Sequence, residues 1–215
     1  MPAERDDHER RVGERDGTDA HGAAPFARAF REDFAPQQRL YFTLEAMDYE
    51  ILENARLLME SSIAVRNYTS SQVKPLLETQ MKYSFLPESV PAFAATEVIA
   101  ALHKTYPDYS YKEATLNPTN PRDRATGWEV DIVNQFRGGS ELTEVIGQRD
   151  TPTGPSLYIA RPLRITNPAC LRCHSSVDAA PKTMVDKYGP ANGFGWQLNE
   201  VIGAQIISVP MAVPL

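Results

Sequence analysis

Residues 157–174 read LYIARPLRITNPACLRCH, and this stretch joins two patterns from which the rest of the chain can be interpreted. Its first nine residues, 157–165, are apolar and β-branched enough to predict a strand. Pro162 lies within that strand and predicts an edge position or a bulge, because proline donates no hydrogen bond to a neighbouring strand. The strand leads into Cys170-Leu171-Arg172-Cys173-His174, which contains both cysteines of the 215-residue chain.

The spacing of the two thiols and the histidine is typical of covalent haem attachment. Two thiols separated by two residues can bond the two vinyl groups of one porphyrin, and the histidine that follows directly can reach its iron. The ring nitrogen that does not bind iron is expected to donate to a carbonyl or a carboxylate. We therefore predict one haem c, with Cys170 and Cys173 as attachment sites and His174 as an iron ligand.

Two other kinds of site remain open for the same residues. A redox dithiol uses the same C-x-x-C spacing, usually at the start of a helix in a βαβ unit. A structural zinc ion needs about four protein ligands, and beyond the first 25 residues only His103 adds an imidazole to His174. Chance occurrence is the last alternative. Haem is favoured because the motif uses every cysteine, so that no disulfide framework competes.

Composition and charge argue against several classes of protein. Hydrophobic residues make up 42% and charged residues 23%, which is ordinary for a soluble globular protein. The net charge of −6 predicts no nucleic-acid partner and no binding to anionic lipid. No apolar run approaches the roughly 20 residues of a membrane helix. No motif places a pair of carboxylates for acid–base catalysis, so we expect no enzymatic activity.

The N-terminal part of the chain divides into two segments. Residues 1–25 are charged and nearly free of large apolar side chains, which predicts a disordered or leader tail. They contain no apolar core of a secretory signal, which conflicts with haem c being normally attached outside the cytoplasm. Residues 26–65 are predicted as an N-terminal helical segment, because apolar residues from Leu40 to Leu58 recur at steps of three and four. Its apolar face would cover the domain's own core or form the seam of a homodimer.

Residues 66–215 are predicted to form one α+β domain. Helices are expected at residues 72–83, capped by Ser70 or Ser71, at 92–104, capped by Ser89, and at 127–136. Strands are expected at residues 109–116, 142–146, 157–165, 196–198 and 201–209. Because the helices come first and short turns link the strands, we expect an antiparallel sheet with helices packed on it.

An ordered set of short motifs resembles one family, the c-type haem, PAS-like periplasmic sensor domain that was long described as a domain of unknown function. The resemblance covers about residues 55–211. Its motifs are Arg66-Asn67-Tyr68-Thr69, residues 90–98, Tyr111-Lys112-Glu113-Ala114, Asn117-Pro118-Thr119-Asn120-Pro121, Trp128-Glu129, Ala160-Arg161-Pro162, Cys170-Leu171-Arg172-Cys173-His174, Ala180-Pro181, Tyr188-Gly189, Gly193-Phe194-Gly195-Trp196 and residues 203–210.

This resemblance implies a PAS-like antiparallel sheet and one covalent haem, with Cys170 and Cys173 forming thioethers and His174 as the proximal ligand. It implies a periplasmic or otherwise extracytoplasmic sensor of redox state or of NO, CO or O2, often as the input module of histidine kinases. The chain ends where the membrane helix of such a receptor would begin, so we expect a stand-alone haem domain or a piece of a longer protein. An electron-transfer cytochrome with a redox partner protein is the first alternative, and a haem-free thiol redox protein is the second.

The resemblance does not supply the distal iron ligand. Some relatives carry a cysteine near the start of the helix that here follows Val90-Pro91, and this chain has none. The sixth position is therefore predicted to be open, or to be filled by Met81 or His103. Other residues are weaker candidates, because the ordinary alternative for each is core packing or a solvated surface. These are Met59 and Met184 as ligands, Phe93, Tyr188, Phe194 and Trp196 as pocket walls, and Arg161 and Arg164 as partners of the haem propionates.

Overall fold

The structure, a computed structural model, describes residues 36–139 and 141–211, with side chains described from residue 48 onward. The predicted tail of residues 1–25 lies outside the described residues, as do residues 26–35 of the predicted helical segment. The chain divides into two units, Met1–Ala46 and Met47–Leu215, and the sheet belongs to the second. The helices are α1 (Pro36–Tyr68), α2 (Lys74–Leu77), α3 (Pro91–His103), α4 (Trp128–Gly138), α5 (Leu171–His174) and α6 (Lys182–Tyr188).

Within the described residues, four strands form one antiparallel sheet. They are β1 (Ser110–Thr115), β2 (Val145–Thr151), β3 (Gly154–Arg164) and β4 (Val201–Pro210), in the order β1-β4-β3-β2. β4 lies inside the sheet and is buried from Val201 to Val209, which explains its nearly continuous apolar sequence. The predicted α+β class with an antiparallel sheet is confirmed. The predicted strand at residues 196–198 is absent, because this segment is a loop.

Each face of the sheet carries a core, because successive side chains of a strand point to opposite faces. The core on one face combines α1 and α3 with the strands: Ile51, Ala55, Met59, Ala95, Ile99, Tyr111, Leu157, Ile159, Ile207 and Val209. The core on the other face combines α4 with the strands: Ala114, Ala125, Ile132, Val133, Phe136, Ala160, Val201, Ala204 and Ile206. Helices therefore cover both faces of the sheet, and loops lie at its ends.

The position of Pro162 agrees with the prediction of an edge or a bulge. β3 pairs with β2 only as far as Ala160, so that Pro162 has a strand neighbour on the β4 side alone. The register between β3 and β4 then shifts between Leu163 and Arg164. This irregularity ends the sheet and turns the chain toward the cysteine motif.

Two predicted helix caps are wrong. A break was expected near Ser70 and Ser71, but α1 continues through a π-helical turn, Thr69–Val73, into α2. The Ser71 hydroxyl donates back to the Asn67 carbonyl at 2.8 Å instead of capping a new helix. Likewise α3 begins at Pro91 without a side-chain cap, and the Ser89 hydroxyl donates to the Leu86 carbonyl at 2.7 Å.

A buried polar network joins the end of α1 to the sheet. The Arg66 guanidinium pairs with both carboxylate oxygens of Glu113, which is 4% exposed. The Tyr111 hydroxyl donates to Glu113 Oε1 at 2.6 Å and accepts from Gln205 Nε2 at 2.8 Å. Glu113 and Gln205 are register partners on β1 and β4. The network therefore fixes Arg66, two residues before the end of α1, against the middle of the sheet.

No helix within the described residues is long and apolar enough to cross a membrane. The exposed side of α1 carries Tyr49 and Leu57, which are 66% and 67% exposed. The pairing of two chains through this helix stays a prediction.

Candidate functional site

The cysteine motif forms a short helical hook directly after β3. The Asn167 side chain accepts from the Ala169 backbone N–H at 2.9 Å and starts a 3-10 turn, Pro168–Cys170, that leads into α5. Cys170 and Cys173 are three residues apart along this hook, so their side chains project from the same side. Both are free, half-buried thiols. The spacing thus places both partly accessible thiols on the same side of the hook.

The hook rests on a small apolar cluster at the end of the sheet. Its buried members are Leu163, Ile165 and Ile202, and the partly buried side chains packed on them are Cys170, Leu171 and Trp196. This cluster is separate from the two cores on the faces of the sheet. The motif therefore has its own apolar support, contributed by the end of β3 and the start of β4.

His174 is held in one orientation by a backbone carbonyl. Its Nδ1 lies 2.7 Å from the Gly193 carbonyl oxygen. Because a carbonyl can only accept, the ring proton must be on Nδ1, and Nε2 keeps its lone pair free. Burial lowers the pKa of His174, and the bond to Gly193 opposes that shift in part. The ring is therefore neutral at neutral pH, which is the form that binds a metal.

The loop that carries Gly193 is bonded to the hook at two further points. The Gly195 N–H donates to the Ser175 carbonyl at 3.0 Å, and the Trp196 N–H donates to the His174 carbonyl at 3.1 Å. Gly193 and Gly195 have φ angles of 86° and 82°, in the left-handed region that favours glycine. The Gly193-Phe194-Gly195-Trp196 motif is thus hydrogen-bonded both to the His174 ring and to the backbone at the end of the hook.

The alternatives of a dithiol and a zinc site gain no support from this geometry. Burial raises the pKa of the Cys173 thiol, whereas a reactive redox cysteine has a lowered pKa. Across residues 48–139 and 141–211, no three side chains of His, Cys, Asp and Glu cluster as metal ligands would.

The structure does not bring His103 to the motif. Its Nδ1 lies 2.9 Å from the Tyr109 carbonyl, just before β1. The motif lies beyond the other end of β1, where Thr115 is in register with Gly203, and Gly203 with Leu163. At about 3.3 Å per residue, β1 places these two ends roughly 20 Å apart.

The three methionines considered as iron ligands also make contacts elsewhere in the domain. Met81 is only partly buried, but its sulfur accepts from the Leu86 N–H at 3.2 Å. The Ser89 oxygen lies 3.3 Å from the same sulfur, while the Ser89 proton is directed to the Leu86 carbonyl. Its carbonyl accepts from the Thr183 hydroxyl of α6 at 3.0 Å. Met59 and Met184 are 0% and 2% exposed, so both are core residues.

The candidate pocket residues lie in different surroundings. Trp196 packs against the His174 ring, and Tyr188 meets Phe85 edge-on with ring centroids 5.8 Å apart. The Arg122 guanidinium, which sequence reasoning did not single out, lies 4.7 Å from the centroid of the Phe93 ring.

The two arginines considered for the propionates are already engaged. Arg161 Nη1 lies 2.6 Å from Glu60 Oε1, and its Nε lies 2.9 Å from Glu144 Oε2. Arg164 Nη1 donates to the Asn199 carbonyl at 2.9 Å. Both side chains serve contacts within the domain itself.

A family model described as Tll0287-like matches residues 44–210, which include the motif and the Gly193 loop. The chain belongs to the Tll0287-like family. Its fold is similar to the crystal structure of the cyanobacterial haem protein Tll0287, with a TM-score of 0.59 and 15% sequence identity. That alignment covers 77% of this chain and 98% of the other. No curated protein sequence matches the chain significantly.

Proposed function

We propose that the protein is a monohaem c-type cytochrome domain. Cys170 and Cys173 would hold the haem through thioether bonds, and His174 Nε2 would bind the iron on the proximal side. The observation that carries this proposal is the 2.7 Å contact between His174 Nδ1 and the Gly193 carbonyl. It fixes the tautomer and the ring direction that an iron-binding histidine requires. The family of the chain, which is named for a haem protein, supports the same assignment.

The haem would supply reversible one-electron chemistry and an iron position for small ligands. The protein's own contribution is to hold one imidazole neutral and oriented, and to present two thiols on the same side of a short hook. The proposal includes no catalytic reaction.

We further propose that the domain is a PAS-like, extracytoplasmic sensor of redox state or of NO, CO or O2. This rests on the resemblance of its ordered motifs and on the engagement of the candidate distal ligands. Met81 sulfur is hydrogen-bonded within its own loop, and His103 lies at the far end of β1. With neither side chain bound to the iron, a haem at the motif would keep its sixth position for a diatomic ligand. In that role the domain would be the input module of a histidine kinase.

The test of haem attachment is production of the protein with a haem c maturation system in a periplasm. The unaltered protein is expected to gain the mass of one haem that withstands denaturation. The double variant Cys170→Ser and Cys173→Ser is expected to gain none. Ser175→Ala is the matched control, because this exposed serine directly follows the motif. Unaltered protein without covalent haem would contradict the proposal and favour a haem-free dithiol protein.

An electron-transfer cytochrome is the second candidate function. It is favoured by the exposure of the hook, in which both thiols are only half-buried and Arg172 is exposed. A haem bonded there would lie near the surface, within reach of a redox partner protein. Absorption spectra of the reduced protein with and without CO separate the two functions. A five-coordinate haem that binds CO supports sensing, and a six-coordinate haem that ignores CO supports electron transfer.

A further inference from the structure

The loop that orients His174 is itself held by a residue far away in the sequence. Asn117 lies in the turn after β1, 76 residues before Gly193. Its Oδ1 accepts from the Gly193 N–H at 3.2 Å, and its Nδ2 donates to the Phe194 carbonyl at 3.2 Å. The amide oxygen can only accept and the amide nitrogen can only donate, so each is paired with a backbone group of the opposite kind.

These two bonds bracket the peptide group that contacts His174. The Gly193 N–H comes just before the Gly193 carbonyl in the chain, and the Phe194 carbonyl comes just after it. With both neighbours fixed, the Gly193 carbonyl has little freedom to rotate away from His174 Nδ1. The direction of the acceptor therefore depends on Asn117.

The same turn also fixes the loop by close packing. A Cβ atom on Gly193 would lie 1.9 Å from Thr119 Oγ1 and 2.8 Å from Thr119 Cα. Gly193 is thus pressed against the backbone of the turn that carries Asn117, and only glycine fits there.

The turn is a rigid base for this contact. The Leu116 N–H donates to the Ile202 carbonyl at 3.2 Å, which extends the pairing of β1 and β4 to the residue before Asn117. Pro118, which follows, is buried and has a fixed φ. Asn117 thereby connects the end of the sheet to the loop around His174.

We infer that Asn117 is a positioning residue for the proximal histidine. It acts through the Gly193 carbonyl, whose hydrogen bond sets the orientation and the basicity of the imidazole as an iron ligand. The inference rests on the proposed function, since the iron is the group that His174 would bind. It assigns a role to the first asparagine of the Asn117-Pro118-Thr119-Asn120-Pro121 motif, which otherwise is only a turn.

The test compares Asn117→Ala with Asn120→Ala in the haem-loaded protein. The two asparagines are matched, because each precedes a proline in the same turn. Asn120 Oδ1 accepts from the Arg122 N–H at 3.2 Å, within its own turn. NMR of the oxidised protein reads the haem methyl resonances, whose spread depends on the orientation of the histidine ring. Asn117→Ala is expected to shift these resonances, to add a second set and to move the reduction potential, whereas Asn120→Ala leaves all three readouts as in the unaltered protein.

Asn117→Asp keeps the acceptor for the Gly193 N–H but sets a carboxylate oxygen against the Phe194 carbonyl, so it is also expected to shift the resonances. Equal effects of Asn117→Ala and Asn120→Ala, or no effect of either, would overturn the inference. Unaltered protein without covalent haem would overturn the proposed function instead. In that case the ¹⁵N chemical shifts of the His174 ring still show whether its Nδ1–H bond depends on Asn117.

Discussion

Trp196 lies flat against His174, with ring centroids 3.9 Å apart and planes inclined by only 15°. The Trp196 N–H also donates to the His174 carbonyl at 3.1 Å. The imidazole is thus held at its edge by the Gly193 carbonyl and on its face by the indole. The hydrogen bond lies in the plane of the imidazole and the indole covers its face. Together they fix the orientation of the ring and the direction of its Nε2.

Replacing Trp196 is expected to loosen this arrangement. Trp196→Ala removes the stacked ring and its packing on Leu163 and Ile202, and we expect the free energy of unfolding to fall by about 2 kcal/mol. Trp196→Phe keeps an aromatic face and is expected to lose less than half of that amount. Urea denaturation followed by far-UV circular dichroism measures both variants. Leu198→Ala is the control, since this neighbouring side chain is 47% exposed, and an equal loss in that variant would contradict the prediction.

The buried carboxylate of Glu113 is expected to be essential for stability. Glu113→Gln leaves the Arg66 guanidinium without its countercharge, which we expect to cost about 3 kcal/mol. The matched change Glu53→Gln breaks an exposed pair with Arg56 and is expected to cost no more than about 0.5 kcal/mol. Chemical denaturation of the two variants compares them directly. Similar values for both would show that the network does not stabilise the fold.

Asp123 is expected to make stability depend on pH. Burial raises its pKa from 3.8 to about 6, and Glu113 adds to the rise while Arg122 and Lys112 oppose it. A carboxyl that binds its proton more tightly in the folded state stabilises the fold when it is protonated. This contribution is present below about pH 4 and is lost as the pH rises through about 6, a change on the order of 2 kcal/mol.

The variant Asp123→Asn isolates that contribution. Its free energy of unfolding is expected to fall less between about pH 4 and pH 7 than that of the unaltered protein. Asp108→Asn, which changes an exposed carboxyl in the loop before β1, is the control for the loss of one carboxylate charge. Denaturation curves across this pH range supply the comparison. Parallel curves for Asp123→Asn and the unaltered protein would refute the assignment.

The two candidate distal ligands are expected to be dispensable for haem coordination. His103→Ala should leave the absorption spectra and the CO affinity within about twofold of the unaltered protein, because His103 contacts the Tyr109 carbonyl at the end of β1 that is opposite to the motif. Met81→Leu should do the same, because the Met81 sulfur accepts a hydrogen bond from the Leu86 N–H. Spectra of the reduced haem-loaded variants decide the matter. Conversion of a six-coordinate haem to a CO-binding one by Met81→Leu would identify Met81 as the sixth ligand.

Much of the fold could be predicted from local patterns. β4 was recognisable because its residues are apolar and β-branched, and Pro162 indicated where β3 loses one neighbour. The caps assigned to Ser71 and Ser89 failed because serine hydroxyls can equally bond back to a preceding carbonyl, as both do here. A local pattern cannot show which of these two bonds the folded chain will use.

The candidate site was predictable only in part. The five residues of the motif are contiguous, so their chemistry can be read from their spacing. The acceptor for His174 lies 19 residues further on, and Asn117 is 76 residues from Gly193. Their contacts depend on the sheet bringing the ends of β1, β3 and β4 together. The sequence required some acceptor for the histidine, but only the tertiary structure identifies it as Gly193.

The contact between His174 and Gly193 exists only in the folded chain, whereas the two thiols and His174 are neighbours in the sequence itself. In the unfolded chain, Cys170 to His174 lie next to one another, but His174 has no contact with the Gly193 carbonyl and Asn117 has no contact with Gly193. The thiols need only a few contiguous residues to react, whereas the imidazole obtains its fixed direction once the chain is complete and folded. On the proposed function, maturation therefore has two separable stages. Cofactor attachment can precede folding, and the properties of the finished cytochrome are set only by the closing of the loop at the second stage.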